Sequence, residues 1–256
     1  MWLAWIGALA IGLSLGLLGS GGSIITVPVL VYLVGQPEKI AIAGSLGVVG
    51  AIALVGALQN AAKGRIDWRS VAWFGLPGMA GTYAGAWLSG YVTGAVQLAV
   101  FAVVMLAAAA MMFRRSAREP STASRRPLAM VVVDGVAVGA LTGFVGVGGG
   151  FLILPALVLL GGLGMHVAIG TSLAIIALNA FTGFFKHLHL LTVQGLTLDW
   201  KILATIAAIG ALGSVGGSLF ASRIPQATLR RVFGVFLLAM ALFIFYESAP
   251  RALGHG

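Results

Sequence analysis

Unbroken apolar runs of about 20 residues recur along this chain, and nothing else constrains its fold as much, because that length matches the hydrocarbon core of a bilayer. Full runs lie at 40–62, 70–89, 94–113, 166–185, 201–221 and 229–246. Two further regions, 2–35 and 128–162, are apolar throughout but are broken by Gly19-Ser20-Gly21-Gly22-Ser23 and by Gly146-Val147-Gly148-Gly149-Gly150. Each reads as a pair of short helices. With 60% hydrophobic residues and only 15 Lys+Arg and 6 Asp+Glu, the chain cannot supply the charged surface of a soluble globule. An all-α integral membrane protein follows, and soluble enzymes and nucleic-acid partners are excluded. The first 18 residues carry no basic leader before their apolar stretch and read as a retained membrane segment rather than a cleaved signal. The absence of cysteine excludes disulfides, thiolate nucleophiles, iron–sulfur clusters and thiolate-bound zinc, and no cofactor is expected.

The sequence is duplicated. Shifting it by 127 residues lays Gly12, Gly16, Gly19, Gly21, Gly22, Pro28 and Ser45 on Gly139, Gly143, Gly146, Gly148, Gly149, Pro155 and Ser172. Further along, a shift of 132 lays Asp67, Trp68, Gly78, Gly81, Gly85 and Phe101 on Asp199, Trp200, Gly210, Gly213, Gly217 and Phe233. The reading is therefore a first membrane repeat at 1–113, a basic linker at 114–127 and a second membrane repeat at 128–256. Positive residues gather on the cytoplasmic side of membrane proteins. That rule puts the linker, with Arg114, Arg115, Arg118, Arg125 and Arg126, inside, together with Lys63, Arg65 and Arg69 and the cluster of Arg223, Arg230 and Arg231. Both termini then lie outside, and corresponding runs cross in opposite directions. The fold expected is two inverted-topology repeats, each a Gly-broken short-helix pair followed by three transmembrane helices. A positively charged loop at 186–201 falls outside, against the rule.

Inverted repeats with broken helices at matching places mark secondary transporters, with the substrate held near the midplane where the repeats meet. Irregular backbone at that depth is tolerated where it is buried in protein or lines a cavity. The Gly12-xxx-Gly16, Gly81-xxx-Gly85, Gly135-xxx-Gly139-xxx-Gly143 and Gly213-xxx-Gly217 patterns have the spacing of helix-packing glycines. The contiguous Gly21-Gly22 and Gly148-Gly149-Gly150 do not, and they read as places of close ligand approach. Short helices follow them at 24–32 and 151–160, and free N–H groups at such starts favour an anion. The expected substrate-binding residues are Ser20, Gly21, Gly22, Ser23, Gly148, Gly149 and Gly150 in the breaks, with Ser45, Thr171, Ser172 and Asn179 on the following runs. Hydroxyl and amide side chains suit an oxyanion, and within lipid they turn inward.

The paired G-x-G-G turns, each followed by a short apolar helix and a proline, with Ala41-Ile42-Ala43-Gly44-Ser45 and Ala168-Ile169-Gly170-Thr171-Ser172 beyond, resemble the sulfite exporter TauE/SafE family of permeases over roughly 3–246. The resemblance implies transport of small anions such as sulfite, sulfoacetate-like sulfonates or related sulfur oxyanions across the bacterial inner membrane. It points to a multi-pass permease working by alternating access, with the lipid bilayer and a small anionic substrate as partners. A coupling proton or ion and the oligomeric state are left open. The alternatives are an anion channel and an integral membrane enzyme. No Ser/His/Asp set or carboxylate pair falls in one cavity, so no enzymatic activity is expected.

The remaining polar residues have ordinary readings. Asp134, an acid several residues inside an apolar segment, reads as a shallow carboxylate near Arg125 and Arg126, with a proton-coupling group as the alternative. Asp67-Trp68 and Asp199-Trp200 read as helix caps beside interfacial aromatic anchors. His187 and His189, beside Lys186, lack the carboxylate or thiolate partners of a zinc site and read as a water-facing helix end.

Overall fold

The computed structural model describes residues 2–114 and 127–221 continuously, and isolated residues of the stretch 224–242. Residues 115–126, most of the basic linker, and most of the sixth run, 229–246, lie outside the described residues. The described residues are helical and contain no strand: α1 (Trp2–Leu18), α2 (Gly21–Pro28), α3 (Glu38–Ala62), α4 (Trp68–Ser70), α5 (Leu76–Ser89), α6 (Gly94–Arg114), α7 (Leu128–Val145), α8 (Gly150–Pro155), α9 (Met165–Val193) and α10 (Trp200–Ala221). Among them α3, α7, α9 and α10 are long and apolar enough to cross a membrane.

The expectation of two short helices at each break is corrected at the second break, whose first member α7 is long enough to cross a membrane. Helices α1 and α7 run 17 and 18 residues without interruption. Their internal glycines do not break them because each is packed against another helix. They end at the first glycine whose φ turns positive, Gly19 at +67° and Gly146 at +76°, where the amide closes the last turn on Leu15 O and Thr142 O at 2.8 Å. The second members, α2 and α8, are shorter still, at 8 and 6 residues. Each contains a proline, Pro28 or Pro155, and continues as one wide π-helical turn at Val29–Leu33 or Ala156–Leu160. Proline supplies no N–H and crowds the carbonyl one turn back, which explains why the hydrogen-bond spacing widens there in both halves. A third π turn, Val71–Gly75, joins α4 to α5.

Packing is reciprocal between the halves. Helix α1 lies along α10, and α7 lies along α5. A Cβ on Gly12 would land on the Gly210 carbonyl oxygen, and one on Gly139 would land on that of Gly78. Gly16 and Gly143 face the carbonyls of Ser214 and Thr82 in the same way. These glycines let the helix backbones touch, as the four-residue spacing predicts. Between the two pairs, α3 packs on α9, and these two helices hold the molecular core: 72% and 78% of their apolar windows are buried, against 28% for α7 and 39% for α10.

The charged loop expected at 186–201 is corrected too. Helix α9 continues to Val193, so Lys186, His187 and His189 are helical. His187 is buried and does not face water. The run of Phe, Leu and Thr through 184–193 sustains the helix past the point where charge suggested its end. The aspartates of the two Asp-Trp pairs cap their helices as expected. Asp67 Oδ2 accepts from the Ser70 amide at 3.3 Å, and Asp199 Oδ1 accepts from the amides of Lys201 and Ile202 at 3.0 and 3.1 Å, while both tryptophans stay exposed.

Candidate functional site

The two breaks come together at the centre of the described structure. Ser20 begins the first, with an extended φ of −164°, and leads directly into α2 at Gly21. In the second, Gly148 and Gly149 both take positive φ, +69° and +68°, and α8 starts at Gly150. Helix α2 starts at Gly21 rather than 24, and α8 at Gly150, one residue before the start that the sequence suggests. A Cβ on Gly150 would meet Ser20, with its Cβ at 2.9 Å and its Cα at 3.0 Å, and Ile176 Cδ1 at 2.6 Å. Helix α9 therefore touches the point where the breaks meet.

The hydroxyls predicted beyond each break clasp the break of the opposite half. Ser45 on α3 donates to the Gly146 carbonyl, and Ser172 on α9 donates to the Gly19 carbonyl at 2.9 Å. Each also lies within hydrogen-bond distance of the carbonyl three residues back on its own helix, Ile42 O at 2.8 Å and Ile169 O at 2.9 Å. Gly19 and Gly146 are matching residues, as are Ser45 and Ser172, so the two clasps form one reciprocal pair. All four hydrogen-bonding groups are buried, where a carbonyl left without a donor is costly. Thr171 serves differently: its Oγ1 accepts from the Asp67 amide at 2.9 Å and fixes the turn before α4. Ser23 donates to Ser20 O at 2.7 Å, within its own break.

The contiguous glycines have two separate reasons. A Cβ on Gly22 would land on the Ile11 carbonyl, so this glycine lets α2 pack closely on α1. Gly149 combines positive φ with a position against Thr142 Oγ1, and Gly148 lies against Val49. Asn179 is fully buried on α9, and neither its Nδ2 nor its Oδ1 has a partner. Of the predicted residues, the structure brings Ser20, Ser45, Ser172 and Gly148 to Gly150 into one neighbourhood, and it sets Asn179 one turn along α9 from Ile176.

A second polar group was not anticipated. Lys39, at the start of α3, donates to Ser89 O and to Gln97 Oε1, both at 2.7 Å, while Gln97 Nε2 donates to Phe144 O. His187 Nε2 lies 2.9 Å from the neighbouring Gly143 carbonyl. Together they tie α3, α5, α6 and α9 to the end of α7, just before the second break. Gln97 carried a signal that could have been used, since it is a lone amide in the apolar run 94–113. Thr82 is also buried with an unpartnered hydroxyl, and a single threonine between Gly81 and Gly85 gave no sign of it.

Comparison with known proteins points to a family of membrane transporters. The family described as Sulfite exporter TauE/SafE matches residues 4–244. A probable membrane transporter protein of Xylella fastidiosa is 34% identical over 245 residues, covering 93% of this chain and 92% of that protein. Probable membrane transporter proteins of Haemophilus influenzae and Bacillus subtilis are 28% and 26% identical, over 94% and 91% of this chain. No solved structure matches.

Proposed function

The chain belongs to the sulfite exporter TauE/SafE family and is a multi-pass membrane transporter, not an enzyme; on that premise we propose that it is a secondary carrier of small anions, sulfur oxyanions or organosulfonates, working by alternating access. The observation that carries this reading is the reciprocal clasp. Two Gly-rich breaks meet at the centre, and each is held by a hydroxyl from the other half. Exchange of matching contacts between halves supports two repeats related by a two-fold axis. The charge bias supports laying that axis in the membrane plane, with the repeats inverted and the linker at 114–127 in the cytoplasm.

In this reading the substrate sits between the breaks, approached by Ser20 to Ser23 from one half and Gly148 to Gly150 from the other, with Ser45 and Ser172 fixing the breaks, Thr171 next to Ser172 on α9 and Asn179 at its edge. The starts of α2 and α8 supply amides rather than formal charge. An anion held by dipoles is released readily, as a carrier requires. Purified protein in liposomes tests the proposal: sulfite or sulfonate flux that saturates and is accelerated by counter-substrate supports a carrier, whereas large unitary currents identify a channel. A probe on Ser121→Cys, which reads sidedness on this cysteine-free chain, must react only from the cytoplasmic side.

A further inference from the structure

The two halves differ at one crossing that their duplicated sequence makes equivalent. Where α3 meets α10, the Cδ1 of Ile52 fills the space beside Gly210. At the matching crossing of α9 and α5, Asn179 stands beside Gly78: a Cβ there would lie 3.0 Å from its Nδ2 and 3.2 Å from its Oδ1. One turn further along the same seam, Thr82 rests its Cγ2 against Gly183, at 3.1 Å from where a Cβ would be, and its hydroxyl has no partner. An amide and a hydroxyl thus share one buried seam, both fully enclosed and both unsatisfied, where the sister crossing has an isoleucine in place of the amide. A buried amide with none of its hydrogen bonds made disfavours folding, and a ligand that pairs with it would offset that cost.

The position fits. Ile176 touches the second break at Gly148 and Gly150, and Asn179 follows it by three residues on the same face of α9. We propose that Asn179 and Thr82 form the specificity notch of the transport site, and that they select a small anion which itself carries a hydrogen-bond donor. This assignment rests on the carrier reading above. Its chemistry is set by the inventory of the notch. Nδ2 donates, Oδ1 only accepts, and the Thr82 hydroxyl does either. An oxyanion with acceptors alone satisfies Nδ2 but faces Oδ1 with negative charge and donates nothing to it. An anion with one hydroxyl or protonated oxygen satisfies both atoms of the amide. A site built to hydrogen-bond a hydroxyl discriminates strongly against the analogue that lacks it, because its own buried groups are then left unpaired.

The test compares two probes of one carbon skeleton, 2-hydroxyethanesulfonate and ethanesulfonate, binding to the purified full chain by calorimetry. The wild-type protein is expected to prefer the hydroxylated probe by about tenfold, the scale of one to two buried hydrogen bonds. Asn179→Ile places in the notch the residue that its sister position already carries against a glycine, and the preference should fall to about onefold. Thr82→Val should reduce it several-fold, and Ile52→Asn should leave it unchanged. Should Asn179→Ile fail to fold, the ratio in Thr82→Val decides. A wild-type protein that binds both probes equally, or a preference that survives Asn179→Ile and Thr82→Val, overturns the notch and leaves the carrier reading intact. Binding of neither sulfonate overturns the sulfonate reading and the notch together.

Discussion

The two glycine-rich breaks are clasped alike and built differently. Each ends its preceding helix on a left-handed glycine, Gly19 or Gly146, and each gives that glycine's carbonyl to a serine of the opposite half. Beyond that point they diverge. The first break needs one positive φ and is helical again by Gly21; the second strings Gly148 and Gly149 through the left-handed region before α8 begins. The shared part is the clasp, and the stretch between clasp and helix differs between the halves. Matching residues can therefore make the same contact while the backbone beside them takes two different paths.

The largest effects should come from the glycines that follow the clasp, and they should fail for different reasons. Gly149→Val puts a branched residue at φ +68° and drives it into Thr142, while Gly22→Val drives one into the Ile11 carbonyl. Strain of the left-handed backbone alone is about 1–2 kcal/mol, and the clash adds to it. Both variants should lose transport and melt many degrees lower. The smaller Gly149→Ala should regain stability when combined with Thr142→Gly, which empties the space, whereas no side-chain change can relieve Gly22→Ala against a backbone oxygen. Equal rescue of both would show that the breaks are built alike after all.

Ser45→Ala and Ser172→Ala come next, and here the halves should agree. Each leaves a buried glycine carbonyl without its donor, at about 1–3 kcal/mol. Denaturant unfolding of the two single variants should give losses within about 0.5 kcal/mol of each other; a loss confined to one would break the reciprocity. Thr171→Val should have no counterpart, because glycine occupies the matching position 44. Loss of the acceptor for the Asp67 amide should cost about 1 kcal/mol and loosen the turn before α4, read as faster amide exchange there.

Helix positions and the duplication were legible in the sequence because both are written in local pattern. Apolar runs set α3, α6, α9 and α10 to within a few residues, apart from the C-terminal extension of α9, and matching glycines announced the helix contacts that they make. Side-chain roles were less legible. Ser45 and Ser172 were singled out as polar residues in apolar runs, but their partners lie 101 and 153 residues away, so no spacing distinguishes holding a break from holding a ligand. Gly22 illustrates the converse: its neighbour Gly21 suggested ligand approach, while its packing partner is a carbonyl on the preceding helix. His187 read as a water-facing end because its histidine and lysine neighbours did, and only the crossing of α9 with α7 puts it against Gly143.

The smallest effect concerns a second matched pair, at the starts of the two core helices. Lys39 on α3 reaches Ser89 O, and His166, the residue matching it on α9, reaches Ala221 O at 3.3 Å; Ser89 and Ala221 match as well. Each ties the first turn of a core helix to the last turn of the helix that packs in the other half's groove. The lysine tie is shorter, is charge-assisted and is backed by Gln97, while the histidine tie is a single long contact. Lys39→Met should therefore cost about 1–2 kcal/mol and His166→Phe under about 0.5 kcal/mol, both sites being half-buried and reached by solvent. Under the inverted arrangement proposed above, the two ties would lie at opposite membrane faces, and loosening the stronger one should favour opening on its own side. Cysteine accessibility near each tie, compared between Lys39→Met and His166→Phe, reads that bias. Equal accessibility on both faces in both variants would reduce the ties to ordinary helix anchoring and confine the asymmetry of the molecule to its centre.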